Sequence, residues 1–256
     1  MGEVKVVREG AVAHVVIDQQ GRRNAMSEAM WQGLADAAHA LSEDSGVRAV
    51  IVRGAGGTFC AGADMSEFET VYRDRATTAA YSHIVSLAQR ALAAVPIPVI
   101  AAVEGNCFGG GCGIALAADL RFAANDARFA ITPARIGAAY SFADTKQLVD
   151  VVGPARAKDI LFSGRVVEAS EALSIGLVDR LVAPGASLAA ARDYVEHLAT
   201  LSANSMRFTK ATIESIRKGA TGADQAMEEA FLDTFAAEDF REGYAAFLDK
   251  RKPQFS

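Results

Sequence analysis

Scarcity narrows the chemistry of this chain before any motif does. Its 256 residues include 3 cysteines, 1 tryptophan and 4 histidines. Cys60, Cys107 and Cys112 are odd in number, lack a CxxC spacing and sit in small, apolar, Gly-rich segments. That pattern predicts reduced thiols in a cytoplasmic protein and sets a zinc site aside. His14, His39, His83 and His197 stand apart from one another and from the glycine clusters, with no ligand spacing, and are given no role. Long apolar runs are missing too. The longest, Ala91 to Val103, has 13 residues and contains Pro96 and Pro98, short of the ~20 that a membrane helix needs. The charged opening MGEVKVVREG does not resemble a secretory leader. Positive charge is in deficit: 26 Lys and Arg against 31 Asp and Glu leave −5, with no basic run beyond Lys250-Arg251-Lys252. Neither a membrane nor a nucleic acid is expected as a partner. There is no GxxxxGK[ST] phosphate loop, no HExxH and no GxSxG, and the run at 109–113 lacks the GxGxxG spacing of a nicotinamide site.

What is present is 51% hydrophobic and 22% charged, enough to bury one large core. Val4 to Val7, Val12 to Asp18, Arg48 to Gly54, Pro98 to Glu104 and Asp119 to Ala123 are β-rich. Helical spacing separates them over Glu28 to Leu41, Tyr81 to Val95 and the apolar stretch ending near Ala118. The fold class is α/β. Past Gly137 strands become scarce, with Gly176 to Val182 the last, and from Ser202 the pattern is helical and rich in aromatics. The expected organisation is a core over 1–200 and a helical layer over 201–256, packed on the core or on another subunit.

Two loops share a design. Gly54 to Asp64 (GAGGTFCAGAD) follows one buried strand, and Glu104 to Cys112 (EGNCFGGGC) follows another and enters a helix. Small side chains at strand ends let a ligand approach the backbone, and free N–H groups at a helix start favour negative charge. Two such donors make an oxyanion hole. Close helix–strand packing is the other use of such glycines.

Arg23-Asn24-Ala25-Met26, FCAGADM at 59–65, EGNCFGGGCGIALAADLRFA at 104–123 and EGYAAFLDKRKPQF at 242–255 together resemble the enoyl-CoA hydratase/isomerase family of the crotonase superfamily, collinearly over nearly the whole chain. The resemblance implies a spiral of ββα units, a C-terminal helical region that assembles homotrimers or hexamers, and an acyl-CoA thioester substrate, with coenzyme A entering only as part of that substrate. By position it makes the backbone N–H groups of Ala63 and Gly110 the oxyanion donors. It places Arg23, Asn24, Ala25, Ala61 and Asp64 along the coenzyme A, with Arg23 near its phosphates and Ala25 near the adenine. Asp64 reads as a helix cap rather than a proton carrier.

The same resemblance exposes a departure. Where similar hydratases carry two glutamates, this chain has Gly113 and Pro133, neither of which can move a proton. The stretch from Ile131 to Tyr140 is similar to that of methylmalonyl-CoA decarboxylase, whose resemblance puts Tyr140 in the active site. Three functions stay open: a lyase or isomerase with a proton carrier from elsewhere, a malonyl-type decarboxylase using Tyr140, and a non-catalytic acyl-CoA binder. The carboxylates nearest the loops in sequence are Asp64, Glu67, Glu69 and Asp144. One of them in the site would favour the first; a wholly apolar cavity would favour the third.

Overall fold

The computed structural model describes residues 2–255. Its main sheet has six strands in the order β1 (Glu3–Glu9), β2 (Val12–Asp18), β3 (Ala49–Gly54), β4 (Val99–Val103), β6 (Leu120–Ala124) and β9 (Arg180–Val182). Only β1 and β2 run antiparallel; every later pairing is parallel. Continuous apolar runs such as AVIV in β3 and VIAAV in β4 suit strands covered on both faces, and both are buried. One face, with Val15, Ile17, Val50, Val52, Ala101 and Val103, packs on α1 (Glu28–Glu43) and α3 (Arg75–Ala94). On the other, Ala49, Ile51, Ile100, Ala102 and Phe122 meet Ala191 and Val195 of α7 (Ser187–Leu198).

A second sheet of three short strands, β5 (Asn106–Phe108), β7 (Arg128–Ala130) and β8 (Val166–Glu168), lies beyond the ends of β4 and β6. With α4 (Gly110–Ala117) and α5 (Phe142–Ser163), the chain repeats ββα as β4-β5-α4 and β6-β7-α5. Gly153 breaks the helical backbone of α5 just before Pro154. The expected strand Gly176 to Val182 shortens to β9, because Gly176 turns at φ +79° and Leu177 and Val178 are consumed by the core.

Short α2 (Phe68–Val71) precedes α3, and α6 (Ala169–Ser174) follows β8. Beyond residue 202 come α8 (Ala203–Arg217), α9 (Gln225–Ala236) and α10 (Glu238–Leu248), capped by Ser202, Asp224 and Ala237 respectively, the first two through their side chains. Lys210 of α8 reaches back to Asp119 and the Ile97 carbonyl. Neither α8 nor α9 buries a single residue in the isolated chain. The rings of Phe208, Phe231, Phe235, Phe240 and Tyr244 form a ladder with centroids 5.1 to 6.5 Å apart, and the last four remain about half exposed. No described helix is long and apolar enough to cross a membrane.

Candidate active site

Both glycine-rich loops leave the same edge of the main sheet and are laced together. The Phe59 N–H donates to the Glu104 carbonyl, Cys60 N–H to Asn106, and Phe108 N–H back to Cys60. The RNAM segment closes on the first loop from the other side: Ala61 N–H donates to Arg23, Met26 N–H to Gly62, and Asp64 N–H to Met26. The lacing uses the Asp64 N–H, and the Gly62 N–H donates to Cys60 Sγ, which leaves that of Ala63 without an acceptor among the described residues.

The second loop makes the matching donor. Gly109 adopts φ +51° and ψ −114°, a conformation that side-chain-bearing residues rarely take, and its N–H is held by the Ala130 carbonyl. The chain then turns straight into α4, whose first residue, Gly110, has the unpaired N–H of a helix start. The two nitrogens lie near one another. A Cβ on Gly110 would lie 3.9 Å from the Ala63 nitrogen, and one on Gly62 would lie 3.4 Å from the Gly110 nitrogen. The α4 dipole adds positive potential at the same point. Trp31 of α1 walls this corner. It is 1% exposed, and its indole N–H donates to Tyr81 Oη at 3.1 Å.

Each residue singled out in the sequence has a definite place. Arg23 and Asn24 take consecutive left-handed conformations, φ +53° and +58°. Asn24 is fully buried, and its side chain accepts from Gln19 N–H and donates to the Ala55 and Thr58 carbonyls. It ties the segment to the first loop and has no donor left over. Arg23 is exposed, with no ion-pair partner among the described residues, while Ala25 is nearly buried and Ala61 half-buried. Asp64 caps the turn at Met65–Glu67 through Ser66 N–H. It also pairs with Arg22 Nη1 at 2.7 Å. Burial pushes its pKa up, but the Ser66 and Arg22 bonds override this and hold it below the usual carboxylate range. Glu67 accepts from Glu28 N–H, and Glu69 is exposed. Neither lies among the atoms nearest the Cβ positions of Gly110 and Gly113.

The fourth carboxylate does. Ser141 caps α5, accepting from Asp144 N–H and donating to Asp144 Oδ2 at 2.5 Å. Asp144 is 8% exposed, and its Oδ1 has no hydrogen-bond partner among the described residues. That oxygen lies 3.2 Å from where a Cβ on Gly113 would stand, one turn along α4 from the Gly110 donor. Gln89 of α3, 2% exposed, occupies the same spot from the other side: its Nε2 would overlap a Gly113 Cβ and is itself without a hydrogen-bond partner among the described residues. Burial raises the Asp144 pKa, while the nearby Ser141 hydroxyl and Gln89 amide favour its ionised form. Tyr140 is half-buried, and its hydroxyl donates weakly to the Gly109 carbonyl at 3.4 Å. Burial, then the charge of Asp144, raise its pKa well above the usual phenol value. The buried thiols beside them are inert, with Cys60 pushed up to about 12 by desolvation.

Gln89 was not legible as a site residue, although a signal existed. It falls in phase with Val85 and Leu92 on the apolar face of α3, where a polar residue calls for an explanation.

Solved structures and sequences agree on the class. An enoyl-CoA hydratase/isomerase family protein from Hyphomonas neptunium superposes with a TM-score of 0.96 at 41% identity, covering 99% of this chain and 97% of that one. A Thermus thermophilus protein with the provisional name enoyl-CoA hydratase is 37% identical across 97% of this chain and 99% of its own. A crotonyl-CoA hydratase from Syntrophomonas wolfei is 32% identical across 97% and 95%. The fold is that of the crotonase superfamily. Within it, the profile of the enoyl-CoA hydratase/isomerase family matches residues 7–256, and the chain belongs to that family.

Proposed function

We propose that this protein binds an acyl-CoA thioester and stabilises its enolate, acting as a lyase or isomerase of its family. The observation that carries the reading is the pair of neighbouring, unbonded N–H groups of Ala63 and Gly110. Loss of one such donor costs ~10²–10³ in rate elsewhere. The exposed Arg23 beside the first loop suits the phosphates of coenzyme A, and Asn24, Ala25 and Ala61, whose own N–H groups are spent on Gln19, Arg22 and Arg23, shape the wall beside it. The silent-binder alternative fits poorly with a buried carboxylate and amide one turn from those donors. The malonyl-type decarboxylase fits poorly too, since a substrate carboxylate directed at Tyr140 would meet Asp144, and like charges at close range repel. The half-exposed aromatic ladder of α8–α10 supports a homotrimer or its double, in which a neighbouring subunit covers those rings. Three reduced thiols buried in the core suit a cytoplasmic protein.

The test is butyryl-CoA incubated with the protein in D2O, with binding measured by calorimetry and α-deuteration followed by mass spectrometry. Binding with deuteration is expected, and absence of either would overturn the reading. Sedimentation should give a trimer or a multiple of it; a monomer at micromolar concentration would remove the oligomer.

A further inference from the structure

We propose that Asp144 is the proton carrier of this site, seated by Ser141 and Gln89 in the space that Gly113 leaves open. The proposal rests on the thioester reading above and adds to it the group that makes the enolate. Gly110 and Gly113 are three residues apart and therefore share one face of α4, so the second N–H donor and the Gly113 position lie about 5 Å apart along that face. A long side chain at residue 113 would project from this face; here the helix is bare, and Asp144 from α5 and Gln89 from α3 converge on the vacancy. Both are more than nine-tenths buried, and each presents a polar atom with no hydrogen-bond partner among the described residues, Oδ1 of the one and Nε2 of the other. The Gln89 amide stands near enough to favour the ionised carboxylate, yet the two atoms are not aligned as a hydrogen bond, so one carboxylate oxygen is left free for a ligand. Nothing else in the fold needs this carboxylate to be ionic: its Oδ2 is engaged only by the hydroxyl that caps its own helix.

The step balances without a co-reactant. Oδ1 of the ionised carboxylate takes the proton from the thioester α-carbon, and the C–H bond breaks as the O–H bond forms. The released electron pair moves into the carbonyl, whose oxyanion the Ala63 and Gly110 N–H groups receive. Return of the same proton to the same carbon restores the substrate; when the Oδ1–H first trades its proton for a solvent deuteron, the return labels that carbon, and return to the vinylogous carbon of an unsaturated substrate shifts the double bond. One carboxylate suffices for either, whereas addition of water needs a second group to activate the water. The inference therefore selects proton transfer on the acyl chain over hydration.

The groups acting on Asp144 are the Ser141 hydroxyl and the Gln89 amide, with the Tyr140 phenol responding to its charge, and among the described residues no Lys, Arg or second carboxylate sets its titration. A base acts in its ionised form. Because burial raises the Asp144 pKa, α-deuteration should rise with pH through a midpoint above the ordinary carboxylate value, then level off. Gln89 favours the ionised form, so Gln89→Leu should move that midpoint further up.

The experiment measures butyryl-CoA binding and α-deuteration across pH 4 to 9 for the wild type, Asp144→Asn and Gln89→Leu. Asp144→Asn, nearly isosteric, should keep binding and lose at least ~10²-fold in deuteration, the lower end of what a positioned proton carrier contributes. Deuteration by Asp144→Asn at the wild-type rate, or a Gln89→Leu profile with its midpoint unmoved, would overturn the proposal. The Gln89→Leu profile decides the matter even if Asp144→Asn fails to fold, and a merely structural Gln89 would not move a midpoint. Intact wild-type binding with deuteration indifferent to Asp144 removes only this proposal, whereas failure of the wild type to bind removes the thioester reading beneath it.

Discussion

Replacing Gly110 by alanine should damage this site through Trp31 rather than by filling the approach to the donor. The new methyl would lie 2.8 Å from Trp31 Cζ2 and 3.1 Å from Cη2. Carbon atoms settle at roughly 3.5–4.0 Å, so one side must yield by about 0.7–1.2 Å. The indole has little freedom to do so, being 1% exposed and tied to Tyr81. Overpacking of this kind costs ~1–3 kcal/mol. At ~2–4 °C per kcal/mol for a chain of this size, the melting temperature should fall by roughly 2–12 °C. If α4 yields instead, the Gly110 N–H swings away from that of Ala63, and up to one donor's worth of catalysis, ~10²–10³ in butyryl-CoA deuteration, is lost. Calorimetry and deuteration on the same preparations separate the two responses. Trp31→Phe deletes the two offending carbons, so the Gly110→Ala penalty should shrink in the double variant, a coupling that independent sites would not show. Wild-type melting and deuteration in Gly110→Ala, or simple additivity in the double variant, would refute the placement of the donor against Trp31.

Crotonyl-CoA hydration should run at least ~10²-fold slower than in a two-glutamate relative, because Gly113 and Pro133 offer no titratable atom; efficient turnover with a bell-shaped pH profile would show that two other groups activate the water. Gly113→Glu should not restore hydration: its Cβ would overlap Gln89 Nε2 and crowd Asp144, costing ~1–3 kcal/mol measurable in a urea melt. Asp64→Asn should cost ~1–3 kcal/mol at pH 7 by weakening the Arg22 and Ser66 bonds. Since the folded pKa of Asp64 is depressed, its stabilisation is present above the ordinary carboxylate value and is lost as pH falls through the folded one. The gap between variant and wild type should therefore close below about pH 4, and a gap constant down to pH 2 would argue that the charge is irrelevant.

Local pattern alone determined a good deal of this protein. The runs in β2, β3, β4 and β6 are long and apolar enough that only a sheet covered on both faces could hold them, and the glycine-rich loops after β3 and β4 announced where backbone would be bare. The collinear motifs carried the family, and the aromatic spacing after Ser202 marked a layer whose rings the single chain leaves half exposed. The Asp74–Thr77 capping box begins α3 at Arg75, six residues before the Tyr81 start that apolar spacing predicts. Strands β5, β7 and β8 escaped because three residues carry no periodicity; they exist only through their pairing with one another. The nearness of Ala63 to Gly110 depended on hydrogen bonds between loops some fifty residues apart. Most of all, sequence could name Asp144 as one of four nearby carboxylates but could not choose among them. Packing of α3 and α5 against the bare face of α4 made that choice. It turned Asp64, Glu67 and Glu69 into caps and surface, and left Asp144 buried beside Gln89 with one oxygen unclaimed.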